Sequence, residues 1–199
     1  MLEKISTDFS SFREIGPVVY VDNPWDVAPF FAQNPRIGMV IVHSSLPPEV
    51  IKDIPKIHRL AAQHSSRVTF NKACQNTYLN AWLEEQTQEL GDAYPDIQLY
   101  RSFDVTAPWH VDLMKGRRRC FIQVDGAGLR IANPKSVIRL AFDSEKNNQP
   151  LCPLGVDPDE NLRQQGISVL ALRQGQMAVF GDFGLHASGN GPKLRAIAY

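Results

Sequence analysis

The chain has 199 residues and a mass of 22.3 kDa, a length typical of one compact domain with its own core. Its 21 basic and 21 acidic side chains give a formal net charge of zero, which argues against nucleic acid or an anionic membrane surface as a partner. The three cysteines form neither a disulfide framework nor a C-x-x-C zinc pattern, as is typical of a reducing compartment.

The N-terminal region carries no sign of export. Acidic side chains are scattered through the first 30 residues, and the continuous apolar stretch of a secretory signal is missing. The longest apolar run, Gly38 to His43, is too short to span a bilayer. These features predict a soluble, cytoplasmic protein without a membrane partner.

Residues 1–95 are predicted to form a mixed, largely helical part of a single domain that spans 1–199. Short β-branched runs bounded by turn-forming residues predict two strands there. Helical periodicity predicts two helices, the first with a break or kink at Pro55 and the second with Asn71 as its N-cap. The predicted strands and helices cover 17–21, 38–43, 47–64 and 71–90.

From Ile97 onward the pattern changes to short strand candidates separated by Gly, Pro, Asn and Asp. Eight such segments at this spacing predict an all-β barrel or sandwich onto which the earlier helices pack. They cover 97–103, 109–113, 117–124, 128–132, 136–142, 167–172, 176–180 and 194–199. The polar insertion 143–166 interrupts them and is a candidate lid or substrate loop, because so long a loop in a compact domain is usually functional or mobile.

A candidate pair of metal ligands lies in the predicted strand W-H-V-D-L. Side chains at positions i and i+2 of a strand point to the same side, so His110 and Asp112 would project together. A third candidate, His186, follows a Gly-rich turn after a later strand. Two imidazoles and one carboxylate form the facial triad of non-haem Fe(II) sites, which leaves positions open for a co-substrate and dioxygen. The sequence thus predicts a metal site, and an ordinary pair of strand residues is the alternative for His110 and Asp112.

This arrangement, H-x-D and then a distant His followed nine residues later by an Arg, resembles the Fe(II)/2-oxoglutarate-dependent dioxygenases. The resemblance implies a double-stranded β-helix of the cupin (jelly-roll) type over 96–199, so that the fold class is mainly β with N-terminal helices. The C-terminal part of the sequence looks most like the phytanoyl-CoA dioxygenase branch, in which a G-D-x-x-x-F strand precedes an H-x-S-x-x-N segment and an Arg. The corresponding residues here are Gly175, Phe180, His186, Ser188 and Arg195, with Asn190 displaced by one.

The resemblance implies a role for each matching residue. His110, Asp112 and His186 would hold Fe(II), and Arg195 would pair with the distal carboxylate of 2-oxoglutarate. Arginine suits this role because its guanidinium binds a carboxylate through two hydrogen bonds and keeps its charge. Ser188 could bond the same carboxylate, or it could be a turn serine satisfied by the backbone. The implied reaction is hydroxylation of a small molecule by O2, with decarboxylation of 2-oxoglutarate to succinate, and it needs no separate general base.

Two other functions remain open at this point. One is a cupin-like protein that holds a metal or small ligand without turnover, since the site and not the fold decides function. The other is an oxygenase that acts on protein side chains, or on nucleic acid, which the zero net charge disfavours. Arg195 favours an oxygenase, because a pure metal-binding module has no need of it.

The basic run G-R-R-R-C, Gly116 to Cys120, has two interpretations. It is either a solvated strand end or a segment in which Arg119 points inward to an anionic substrate, with Arg117 on the same side and Arg118 on the other. Three arginines are too few for a nucleic-acid surface.

A few other side chains are weaker candidates. Three could line the substrate pocket, although strand and aromatic residues more often belong to the core: Arg101, Trp82 and Trp109. His43 ends an apolar strand and is predicted to be a hydrogen-bonded loop residue rather than a fourth ligand.

Overall fold

The computed structural model describes residues 11–62, 67–69, 77–90, 97–102, 107–112, 118–143 and 149–198, and of 60–62, 67–69, 97–102 and 198 only the backbone. Within these residues most of the regular structure is β. The strands are β1 (Phe12–Ile15), β2 (Val18–Val21), β3 (Met39–Val42), β4 (Arg67–Thr69), β5 (Ile97–Ser102), β6 (His110–Val111), β7 (Arg119–Gly126), β8 (Arg130–Asn133), β9 (Ile138–Asp143), β10 (Gln149–Pro150), β11 (Ser168–Ala171), β12 (Met177–Phe180), β13 (Leu185–Ala187) and β14 (Lys193–Ala198).

The described helices are few. They are a 3-10 turn (Pro24–Asp26), α1 (Val27–Gln33), α2 (Pro48–Ala62), α3 (Tyr78–Glu89) and α4 (Pro158–Gln164). In the described part of the chain, no helix is both long enough and apolar enough to cross a membrane.

The strands form three sheets. The large sheet has seven strands in the order β2-β3-β12-β7-β14-β5-β4, and the small sheet has four in the order β11-β8-β13-β6. A third sheet has the order β1-β9-β10. The described pairings are antiparallel, apart from β2 with β3. The mainly β fold predicted from the strand spacing is therefore confirmed, whereas β1, β4, β10 and β13 lie outside the predicted strands.

Alternation along the strands divides the core into layers. On β12, Met177 and Val179 pack toward the helices, while Ala178 and Phe180 belong to the cluster between the two larger sheets. The outer face of the small sheet has its own cluster, in which Trp109 of the segment before β6 packs with Leu162 of α4. The small sheet is thus apolar on both faces, and residues on opposite faces have different surroundings.

Two details of the predicted helices need correction. Helix α2 runs unbroken through Pro55, which is exposed, because the buried face formed by Val50, Ile54 and Ile57 anchors the helix on both sides of it. Helix α3 has Thr77 as its N-cap, whose Oγ1 accepts from the Asn80 N–H at 3.2 Å. The predicted cap, Asn71, lies outside the described residues.

The insertion predicted as a loop over 143–166 contains regular structure in its described part. β10 pairs with β9, and α4 follows Asp157, whose carboxylate accepts from the Asp159 and Glu160 N–H groups. An aspartate followed by a proline at the first helical position predicts the start of a helix. The prediction of a loop did not take this pattern into account.

Candidate metal centre

His110 and His186 are cross-strand neighbours in the small sheet. β6 and β13 pair antiparallel, with His110 opposite His186 and Val111 opposite Leu185. Because paired residues face the same side of a sheet, both imidazoles project from one face, and their ring centres are 4.3 Å apart. His186, the predicted third ligand, is therefore the direct neighbour of His110.

Asp112, just beyond β6, completes the group. Its Oδ1 lies 3.7 Å from His110 Nε2, and its Oδ2 lies 3.6 Å from His186 Nε2. One ligand atom from each of the three residues lies within 4.8 Å of the others, the one such group found among the described residues. Neighbouring ligand atoms about 2 Å from a divalent metal lie roughly 3 Å apart. The three side chains would therefore have to move closer together to hold an ion.

Backbone carbonyls orient both rings. His110 Nδ1 lies 2.7 Å from the Pro108 carbonyl oxygen, and His186 Nδ1 lies 3.3 Å from that of Gly184. In a neutral imidazole one nitrogen donates while the other keeps its lone pair. A proton on each Nδ1 leaves both Nε2 lone pairs directed toward Asp112, the arrangement that metal-binding histidines use.

The surroundings keep His186 neutral. The side chain is 2 % exposed, and the rings of Phe180 and Phe121 lie 4.4 and 5.8 Å from its own. Burial, with the neighbouring His110 as the next cause, holds the pKa of His186 well below its usual value. Neutral imidazole is the form that binds metal. This environment therefore favours a ligand over a cationic surface histidine.

Arg119 contacts the candidate ligand set. Its Nη1 donates to Asp112 Oδ2 at 2.8 Å, with both side chains largely buried. The interpretation of the basic run as a solvated strand end is therefore wrong for Arg119. Arg118 lies over the Phe31 ring, with its guanidinium carbon 4.5 Å from the ring centre, and Arg117 falls outside the described residues.

Arg195 and Ser188, the predicted 2-oxoglutarate contacts, are both buried, at 2 % and 8 % exposure. Lys193 is buried as well, at 1 %, and its Nζ donates to the Gly189 carbonyl oxygen at 2.8 Å. Burial lowers the pKa of Lys193, and the nearby charges of Arg195 and Arg130 lower it further. Two basic side chains, at i and i+2 of β14, are therefore buried in this interior. Lys193 was not among the predicted site residues, although its position two residues before Arg195 places both side chains on the same side of the strand.

The weaker candidates lie elsewhere. Trp82 and Trp109 are buried core residues, and Trp109 faces away from the three ligands, on the outer side of the small sheet. His43 is exposed, and its ring stacks on that of Tyr20 at 4.9 Å. The side chain of Arg101 is outside what the structure describes.

A cavity of about 310 Å³ lies on the outer face of the small sheet and includes none of the three candidate ligands. Much of its lining comes from the insertion 143–166, so the described part of that segment packs behind the metal site rather than over it. The lining residues are Ala107, Pro108, Trp109, Arg130, Gln149, Pro150, Cys152, Asp157, Pro158, Asn161, Leu162 and Asn190.

No protein-family model matches the sequence, and comparison with curated proteins gives no match. Solved structures do match. A prolyl-4-hydroxylase from Pseudomonas putida is 12% identical, with a TM-score of 0.50 over 90% of this chain and 96% of its own. AviO1 from Streptomyces viridochromogenes Tue57 is 17% identical, with a TM-score of 0.51 over 87% of this chain and 94% of its own. At these identities the likeness shows that the chain has the same fold as these two proteins.

Proposed function

We propose that this chain is an Fe(II)- and 2-oxoglutarate-dependent oxygenase that hydroxylates a small-molecule substrate. The observation that carries the proposal is the convergence of His110, Asp112 and His186 on one point, with Nε2 of each imidazole free to bind a metal. The fold shared with a prolyl-4-hydroxylase agrees with it. The finer assignments, a double-stranded β-helix, the phytanoyl-CoA dioxygenase branch and a cytoplasmic location, rest on the sequence patterns and belong to the proposal.

The donor set fits Fe(II). His110, Asp112 and His186 would hold the ion and leave part of its coordination open. The metal and co-substrate, when bound, would supply the oxidising chemistry, in which one O2 oxidises 2-oxoglutarate to succinate and carbon dioxide and hydroxylates the substrate. The chain supplies the orientation. The backbone carbonyls of Pro108 and Gly184 hold the imidazoles, and Arg119 holds the carboxylate.

The buried cations fit a dicarboxylate co-substrate. Arg195 would bind the distal carboxylate of 2-oxoglutarate through its planar guanidinium. Lys193, two residues away on the same side of β14, adds a second positive charge, and Ser188 lies two residues beyond the ligand His186. An ion pair with a bound carboxylate is stronger here than in water, because burial lowers the local dielectric constant.

The proposal is tested by anaerobic titration of the purified protein with Fe(II) and 2-oxoglutarate. We expect a visible metal-to-ligand charge-transfer band in the wild type and in His43→Ala, the exposed control, and none in His186→Ala. Arg195→Met should weaken 2-oxoglutarate binding while sparing the metal, whereas Arg163→Met, on the exposed side of α4, should change neither. Absence of the band in the wild type would overturn the proposal.

Measuring succinate formation distinguishes an oxygenase from a cupin-like protein that binds the same ligands without turnover. A cupin-like protein that binds metal and 2-oxoglutarate without catalysis gives the same band but produces no succinate when oxygen is admitted. We expect slow succinate formation even without the substrate, and faster formation when a substrate is found. A band without any succinate favours the binding protein.

A further inference from the structure

We propose that Asp159, on α4, is a positioning residue for the metal site, because its carboxylate ties together the two strands that carry His110 and His186. The inference rests on the proposed metal site. It concerns a residue on the opposite face of the small sheet from the ligands, outside the motif that the sequence resemblance covers.

One carboxylate oxygen receives two donors. Asp159 Oδ1 accepts from Trp109 Nε1 at 2.8 Å and from Arg130 Nη1 at 2.5 Å. The Asp159 and Arg130 side chains are only 15% and 20% exposed, so the ion pair is well shielded from water. Trp109 directly precedes His110 in the chain, so this oxygen fixes the backbone at the start of β6.

Arg130 carries the connection to the other ligand strand. It lies opposite Ala187 in the β8–β13 pairing, and its Nε donates to the Ser188 carbonyl oxygen at 3.0 Å. Its guanidinium carbon also lies 5.4 Å from the centre of the Trp109 ring. The segment after His186 and the segment before His110 are therefore linked through one guanidinium and one carboxylate.

The need for this link follows from how short β6 is. The strand has two residues, and its pairing with β13 comprises two residue pairs, extended by one hydrogen bond from Ser188 N to the Ala107 carbonyl oxygen. So short a ladder fixes the position of a strand weakly. Charge-assisted hydrogen bonds are stronger than neutral ones, so the Asp159 network supplies the constraint that the ladder lacks.

The helix itself is held in place without the Asp159 carboxylate. Asp157 caps it by accepting from the N–H groups of Asp159 and Glu160, each at 3.0 Å, and Leu162 is buried at 1% exposure against the outer face of the small sheet. A substitution at Asp159 therefore removes the link to the ligand strands while leaving the cap and the packing of α4.

The test compares Co(II) binding, in the absence of oxygen, across matched variants. Asp159→Asn removes the charge that holds Arg130, and Trp109→Phe removes only the indole donor. Leu162→Ala loosens the same helix without touching the polar link, and Glu160→Gln changes the neighbouring, exposed carboxylate. Each variant is titrated with Co(II), the visible spectrum of bound Co(II) is recorded, and its free energy of unfolding is measured in urea.

We expect Asp159→Asn to weaken Co(II) binding by about tenfold, the lower end of the usual effect of groups that support metal ligands, and to alter the Co(II) spectrum. Trp109→Phe should give a smaller change of the same kind. Leu162→Ala should lower the free energy of unfolding but keep the wild-type spectrum, and Glu160→Gln should match the wild type.

Two outcomes would overturn the positioning role. One is wild-type affinity and spectrum in Asp159→Asn. The other is an equal loss of affinity in Leu162→Ala, which would mean that general loosening of the sheet is the cause. Failure of the wild type itself to bind Co(II) is a different result, because it would overturn the metal site and the proposed function together with this inference.

Discussion

Arg119 donates a hydrogen bond from Nη1 to Oδ2 of Asp112 at 2.8 Å, so the carboxylate of the candidate triad is already held by a cation. The other oxygen, Oδ1, faces His110 Nε2 at 3.7 Å. Oδ2 itself lies 3.6 Å from His186 Nε2, so Arg119 holds the carboxylate in an orientation in which each oxygen faces one of the two histidines.

Arg119→Lys should weaken metal binding by roughly tenfold, as loss of a group that orients a ligand usually does. The substitution keeps the positive charge, so a difference reports the loss of the planar, directional donor. Co(II) titration without oxygen measures it. Arg118→Lys is the control, because that guanidinium lies over the Phe31 ring instead. Equal affinities in the two variants would contradict an orienting role for Arg119.

Lys193 should make stability depend on pH. Its folded-state pKa lies below the unfolded value, mainly because it is buried, so the unfolded chain binds more protons in the intervening pH range. The contribution of Lys193 to the free energy of unfolding therefore rises with pH. The destabilisation that its buried charge causes at neutral pH disappears as the pH approaches the usual pKa of lysine. Urea unfolding at several pH values should show wild type gaining stability relative to Lys193→Met as the pH increases.

The exposed Lys135 supplies the control for this experiment. Lys135→Met, measured over the same pH range, shows what removal of an exposed lysine does to the free energy of unfolding. A difference between wild type and Lys193→Met that does not change with pH would mean that burial does not shift the ionisation of Lys193.

The sequence alone predicted the mainly β fold and the residues of the candidate triad, because both depend on local patterns. Alternation along a strand places His110 and Asp112 on one side whichever strand lies next to them. That His186 would lie directly opposite His110 required the β6–β13 register, which no local pattern contains. His186 entered the prediction as the distant third ligand that the H-x-D pair requires, and the family resemblance supported it.

The supporting contacts could not be predicted for the same reason. Arg119 meets Asp112 across strands that do not pair with each other, and Asp159 reaches Trp109 from a helix in a segment read as a loop. Each contact depends on how separate elements pack. Local sequence patterns therefore predict the ligands of such a site more readily than the residues that orient them.

Cys120 and Cys152 should differ in reactivity. Cys120 is fully buried, and burial raises the pKa of its thiol far above the usual value, so thiolate is scarce and reagents have no access. Burial and the nearby Asp157 also raise the pKa of the Cys152 thiol, but this side chain is only half-buried, so it should be alkylated slowly in the native protein. Iodoacetamide labelling in a Cys74→Ser background, read by peptide mass spectrometry, should modify Cys120 only after urea is added. Native labelling of both at similar rates would contradict the buried position of Cys120.

Binding of a divalent metal should stabilise the folded protein, because the three ligands come together only when β6 pairs with β13. At a free metal concentration a hundred times the dissociation constant, the free energy of unfolding should rise by about 2.7 kcal/mol, and EDTA should abolish the increase. Urea unfolding with and without Co(II) measures this increment. His186→Ala should lose it, whatever its own stability, whereas His43→Ala should keep it, since His43 lies outside the site. An increment that persists in His186→Ala would show that the metal binds elsewhere on the chain.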